Sequence, residues 1–204
     1  ATAVLCTATQ PVLGDLIQRF APSHTVSEIC PEIPFYFDKF RRVTFRQVGV
    51  LEDDALAELL CAHEQVLCIV NSRKAAQSIF SKLPEEGSFH LSTLMVPAHR
   101  RTVLEEIRCR LNDGLPCRVV STSLVEAGVD IDFPAVYREL AGLDSILQAA
   151  GRCNREGKRA AEDSIVTIFR RTEKAPPLFG QAIGATNIAL DNNADPASPQ
   201  TIQS

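Results

Sequence analysis

No run of about 18 consecutive apolar residues occurs anywhere in this 204-residue chain, so no segment has the length of an apolar bilayer-spanning helix. The first residues, ATAVLCTATQP, also lack the basic stretch followed by an apolar one that a secretory leader requires. Metal-ligand spacing is missing too. Cys6, Cys30, Cys61, Cys68, Cys109, Cys117 and Cys153 are odd in number, and none falls in a CxxC pair. They are expected to be reduced and mostly buried thiols, behaving as small hydrophobes in a soluble, cytoplasmic protein with no membrane partner and no metal site of its own. Excess positive charge is lacking as well: 21 Lys and Arg face 25 Asp and Glu, a net charge of -4. That balance excludes a protein that grips nucleic acid by a broad basic surface. It leaves open local contacts from helix N-termini and from hydroxyl or amide side chains. No internal repeat or low-complexity tract is present.

What the chain does contain is ordinary globular material, 45% hydrophobic and 23% charged, and one main domain is the simplest count. Apolar, β-branched runs alternate with stretches of helical period. Strands are expected at 3–7, 42–50, 65–70, 88–91, 117–121, 135–139 and 164–169, and helices at 53–63, 73–83, 98–111 and 145–152. This alternation predicts an α/β fold of three layers, with a mostly parallel sheet covered by helices on both faces. In the third helix Val103, Leu104, Ile107 and Leu111 share a face, while Arg100, Arg101, Glu105 and Arg108 turn away from it. Residues 10–40 contain Pro11, Pro22, Pro31 and Pro34, break the alternation and read as a connector. The polar end NNADPASPQTIQS is expected to be disordered or a truncated linker.

Three segments carry chemistry. In VLCIVNSRKAAQSIF an apolar strand runs through Asn71, Ser72 and Arg73 into a helix, whose first N–H groups face the carboxyl end of the sheet, where ligands bind in such folds. Ser72 acting simply as a helix cap is an equally good reading. In CRVVSTSLVEAGVDIDF the strand ends at Ser121, Thr122 and Ser123, hydroxyls suited to phosphate contacts, and Gly128 lets the backbone approach a ligand. Asp130 beyond it is placed to hold a ribose hydroxyl; the plain alternative is a solvated connecting loop. In DSILQAAGRCNREG the spacing Q-x-x-G-R-x-x-R puts Gln148 and Arg152 on one helix face, joined by Arg155 if the helix continues. Two guanidiniums converging on one spot suit an anion such as a terminal phosphate. Ser145 and Gln148 also form an S-x-x-Q capping box, and both arginines as solvated helix charges is the bland reading.

In this order the segments resemble motifs IV, V and VI of superfamily two helicases, and Thr7, Ala8 and Thr9 resemble motif III of the preceding motor domain. Ala149 stands where RNA helicases of the DEAD and DEAH types usually have a second arginine. GRCNREG, with Asn154 before its final arginine, is instead similar to the CRISPR-associated helicase-nuclease of type I systems, the Cas three family. FHLSTLMVPAHRRTVLEEIRCRL is similar to that family's segment after motif IV.

The resemblance implies a RecA-like second motor domain at 40–191, preceded by a remnant of the first motor domain and a connector at 1–39 and followed by the tail at 192–204. It implies that Asn71, Arg73, Ser92, Thr93 and Thr122 lie along a single-stranded DNA track. Gly128, Asp130 and Gln148 would face the nucleotide, with Arg152 and Arg155 as catalytic arginine fingers. ATP and Mg²⁺ would be cofactors of the full-length enzyme. None would be bound by this fragment alone, since it has neither a G-x-x-x-x-G-K-[ST] loop nor a D-E-x-H sequence, and its histidines do not reproduce an H-D nuclease site. The implied partners are single-stranded DNA, the first RecA-like domain and HD nuclease domain of the parent protein, and a CRISPR surveillance complex in antiviral defence. Two other readings stay open at this point: a superfamily two helicase of RNA metabolism or DNA repair, and a non-catalytic anion-binding α/β module.

Overall fold

The computed structural model describes residues 19, 29, 32–126, 128–173, 177–192, 195–198 and 201–202. The strand expected at 3–7 and the triplet Thr7, Ala8 and Thr9 lie outside them. The chain divides into two compact units, residues 42–186 and a smaller one of 1–41 with 187–204.

In the smaller unit, α1 (Ile33–Lys39) forms within the stretch read as a connector. Its Tyr36 ring stacks on Phe40 at 6.2 Å between centroids, and Arg41 pairs with Asp195 at 2.7 Å. The polar tail, expected to be disordered or a truncated linker, forms a turn at residues 195–198. The Thr201 hydroxyl donates to the Asp195 carbonyl at 2.8 Å, and the Ala197 N–H donates to the Asp195 carboxylate at 3.0 Å.

The larger unit is the expected three-layer α/β fold. Its strands are β1 (Thr44–Leu51), β2 (Gln65–Ile69), β3 (Ser88–Leu91), β4 (Cys117–Ser121), β5 (Ala135–Glu139) and β6 (Ile165–Arg171). They form one sheet in the order β1-β6-β5-β2-β4-β3, and every pairing is parallel. The helices are α2 (Asp53–Cys61), α3 (Arg73–Phe80), α4 (Pro97–Asn112) and α5 (Leu143–Ala150), and α6 (Gly180–Asn192) runs on from this unit into the smaller one. Among the described residues no helix is long and apolar enough to cross a membrane.

The period of two along a strand explains why both faces of β2 are covered. Leu67 and Ile69 point to one face, where they join Ile107 of α4 and Ala149 of α5. Val66, Cys68 and Val70 point to the other, against Leu56 and Leu60 of α2 and Ala76 and Ile79 of α3. Ile107 is fully buried, with Val103, Leu104 and Leu111 packed partly buried beside it, so the apolar stripe of α4 is core as expected. Pro97 opens that helix, where its missing N–H has no role.

The strands predicted at 88–91, 117–121 and 135–139 form with those bounds. The last helix of the sheet does not. α5 begins at Leu143 with Gly142 as its cap and stops at Ala150, so Ser145 lies inside the helix and no capping box forms.

Candidate functional site

Two groups of predicted residues gather at opposite ends of the sheet. At the carboxyl ends of the central strands, Ile69 pairs with Ser121 and Leu91 pairs with Ser121, which brings the residues that follow to one edge. Asn71, Ser92 and Thr122 therefore lie together. Ser92 and Thr122 are buried, and the Thr122 hydroxyl has no hydrogen-bond partner among the described residues. Arg73 and Thr93 are exposed beside them. Ser72 caps α3, its hydroxyl accepting from the Ala75 N–H at 3.1 Å, so the structural reading holds for that residue. The Asn71 amide is committed inward. Its Nδ2 donates to the Leu140 carbonyl at 2.8 Å, and its backbone N–H donates to the Glu139 carboxylate at 2.7 Å.

The second group lies where α5 ends and β5 begins, joined by the bridge between Phe133 and Cys153. Because the helix stops at Ala150, Gln148 and Arg152 do not share a helix face: Gln148 is exposed on α5 and Arg152 is buried beyond it. Arg152 turns toward the segment after β4, donating from Nε to the Val125 carbonyl at 2.8 Å and from Nη2 to the Glu126 carbonyl at 2.6 Å. Arg155 is 44% exposed and pairs with Asp130 at 2.8 Å. Arg155 thus has a carboxylate partner, supplied by the loop after Gly128. An exposed pair of this kind is worth about 0–1 kcal/mol and opens readily. Burial lowers the pKa of Arg152, and the Arg155 charge lowers it further. Gly128 is exposed with φ +71°, and a side chain there would meet nothing within 4 Å. Glycine is required by the backbone angle and not by close packing.

The loop carrying Arg155 is set by Asn154, buried and at φ 47°. Its Nδ2 donates to the carbonyls of Arg42 and Arg159 at 2.8 Å each, and its Oδ1 accepts the Arg159 N–H at 3.0 Å. The Arg42 guanidinium holds the Arg155 carbonyl, and the Asp132 carboxylate accepts the Arg155 N–H at 2.7 Å.

Sequence reading missed the group between the two ends. Arg138 of β5 is 1% exposed. Its Nη1 donates to Asn71 Oδ1 at 2.7 Å and to the Glu139 carbonyl at 2.7 Å, and its Nη2 faces Glu126 Oε1 at 3.0 Å. Burial pushes the Glu126 carboxyl up from its ordinary value, against the pull of Arg138 and of a hydrogen bond from the Ser145 hydroxyl. Burial likewise raises Glu139 and lowers Arg138. A signal was available: an arginine and a glutamate side by side in the strand AVYRE must find partners if both faces are covered.

Three of the five described thiols behave as small hydrophobes, while Cys61 is half-buried and Cys109 is exposed. Cys68, Cys117 and Cys153 are buried, and desolvation pushes Cys117 and Cys153 up to about 12. Cys6 and Cys30 lie outside the described residues. No three His, Cys, Asp or Glu side chains gather as a metal-binding group among the described residues.

Residues 62–158, which hold nearly all of these side chains, match the family model described as CRISPR-associated nuclease/helicase Cas3, C-terminal. The chain is similar to the CRISPR-associated nuclease/helicase Cas3 of Haloferax volcanii, 37% identical over 83 residues, covering 39% of this chain and 9% of that protein. Against the protein of the same name from Methanothermobacter thermautotrophicus it is 26% identical over 145 residues, covering 68% of this chain and 18% of the relative. Among solved structures it resembles T. fusca Cas3-ATP, with TM-score 0.59 and 16% identity over 79% of this chain and 23% of that one, a likeness of fold. The chain thus spans less than a fifth of either curated relative.

Proposed function

We propose that this chain, a second RecA-like domain of the Cas3 helicase-nuclease family, supplies half of an ATP site and half of a single-stranded DNA track to a DNA helicase or translocase of CRISPR antiviral defence. The family match supports the setting. The observation that carries the site is the pairing of exposed Arg155 with exposed Asp130 beside the buried guanidinium of Arg152. A terminal phosphate entering there would displace a weak surface pair and meet an arginine whose backbone is held on both sides. Arg155 is the finger in this reading, and Arg152 stands behind it, holding the carbonyls of Val125 and Glu126. Gly128 and Gln148 border the same nucleotide, and Asp130, once released, is free to accept from a ribose hydroxyl.

Asn71, Ser92 and Thr122, flanked by Arg73 and Thr93, form the DNA side. The unpartnered Thr122 hydroxyl and the exposed Arg73 and Thr93 would contact a phosphodiester backbone without the charge that this chain lacks, while the Asn71 amide, held inward, fixes the edge behind them. The domain limits 1–39, 40–191 and 192–204 belong to the same proposal, with the first segment a remnant of the other motor domain. That other domain would hold Mg²⁺ and the phosphates through its own loop, because this chain contains no G-x-x-x-x-G-K-[ST] sequence. Hydrolysis would then need both domains, and the isolated chain would not turn over ATP. The HD nuclease domain and a surveillance complex are the remaining proposed partners, with the cytoplasm as the compartment.

The test is DNA-stimulated ATPase and ATP affinity of the full-length parent protein carrying Arg155→Ala. A fall in turnover of about a hundredfold or more, with nucleotide affinity changed far less, is expected, since such fingers are worth about 10³ to 10⁵ in rate. Unchanged turnover overturns the assignment.

A further inference from the structure

We infer that Arg138 is a positioning residue that holds the candidate DNA edge and the candidate phosphate loop in one arrangement. The inference rests on the functional reading above but concerns residues outside both sites. From Asn71 to Arg152 runs an unbroken chain of polar contacts. Asn71 Oδ1 accepts from Arg138 Nη1 at 2.7 Å, Arg138 Nη2 meets the Glu126 carboxylate at 3.0 Å, and the Glu126 carbonyl accepts from Arg152 Nη2 at 2.6 Å. The ion pair at its centre is buried on both sides, with side-chain exposures of 2% and 6%. Its parity along β5, two residues from Val136, points Arg138 to the face that carries α5.

A buried pair of opposite charges tolerates few geometries, because separating them leaves an unpaired charge in a medium that cannot solvate it. If Arg152 shifts as the neighbouring loop takes up a phosphate, the Glu126 backbone shifts with it. Arg138 must then follow, or lose its partner. If it follows, Asn71 is released or redirected at the other end of the sheet. The pair is also not fully satisfied as it stands. Arg138 Nε and Glu126 Oε1 lack a well-aligned hydrogen bond among the described residues, so the junction is not locked by every bond that it could make. Glu139 and Ser145 brace the same junction, the first through the Asn71 N–H and the second through the Glu126 carboxylate.

The experiment uses the full-length parent protein and three readouts: basal ATPase, the factor by which single-stranded DNA stimulates it, and Tm. Arg138→Met with Glu126→Gln removes both charges of the pair, though Asn71 Oδ1 and the Glu139 carbonyl lose the donor that Arg138 supplied. The double variant is expected to fold with a lowered Tm and keep basal turnover, while DNA stimulation falls by about 5- to 150-fold, the usual range of coupling between two sites. Arg138→Lys, which keeps the charge and loses the planar fork, is expected to leave stimulation depressed. If the double variant does not fold, Glu126→Gln alone serves, and lost stimulation at unchanged Tm supports the inference. Wild-type stimulation in a folded double variant, or in Glu126→Gln, overturns it. Arg155→Ala measured alongside separates the two ideas: reduced turnover there with full stimulation in the Arg138 variants rejects only the positioning role, whereas unchanged turnover rejects the underlying reading.

Discussion

Asn154 offers a test of how the loop carrying Arg155 is built. Its side-chain amide makes three hydrogen bonds, to the carbonyls of Arg42 and Arg159 and from the Arg159 N–H. Each contributes about 0.5–1.5 kcal/mol net. Alanine would remove all three, whereas the left-handed angle of φ 47°, which costs a residue with a Cβ about 1–2 kcal/mol, burdens asparagine and alanine alike. Asn154→Ala is therefore expected to destabilise the chain by about 1.5–4.5 kcal/mol, a large part of the roughly 5–15 kcal/mol available to a domain. Asn154→Gly loses the same hydrogen bonds but accepts the angle, so it should be less damaging by about 1 kcal/mol. Urea unfolding followed by circular dichroism separates the two, read as a shift in midpoint at constant slope. Equal losses for alanine and glycine would refute the backbone argument. A loss under about 1 kcal/mol for alanine would refute the hydrogen-bond argument as well.

Two further outcomes follow from the same structure. Ser72→Ala should cost about 1 kcal/mol by the same unfolding measurement, because it strips the cap from α3, and Ser72→Gly only a few tenths. For Asp53, burial raises the carboxyl, but the Ser78 hydroxyl and the Arg171 guanidinium more than offset it and hold the pKa below its ordinary value. Its stabilisation is thus present above the unfolded value of about 3.9 and is lost as pH falls through the lower folded value. The stability gap between wild type and Asp53→Asn should accordingly be constant near neutrality and close in acid; a gap that widens in acid would contradict this.

Several elements were legible because their cause is local. The strands at 88–91, 117–121 and 135–139 are apolar runs bounded by turn residues, and the stripe on α4 is a pure spacing effect. The order of the three chemical segments was legible for the same reason. The end of the last helix was not. Nothing in QAAGRCNREG forces a stop at Ala150; it stops there because Cys153 bridges to Phe133 and Asn154 is claimed by the backbone of Arg42 and Arg159.

By itself, then, the sequence determined a parallel α/β sheet and the residues at its ends, since hydrophobic period and turn chemistry act over a few neighbours. Only the tertiary structure decided which of those residues meet. Arg155 found Asp130, Arg152 turned to the carbonyls after β4, and Arg138 joined Asn71 to Glu126. The partner of a buried charge is whichever group the packed layers bring within hydrogen-bond reach, and that distance is set by the fold and not by the spacing along the chain.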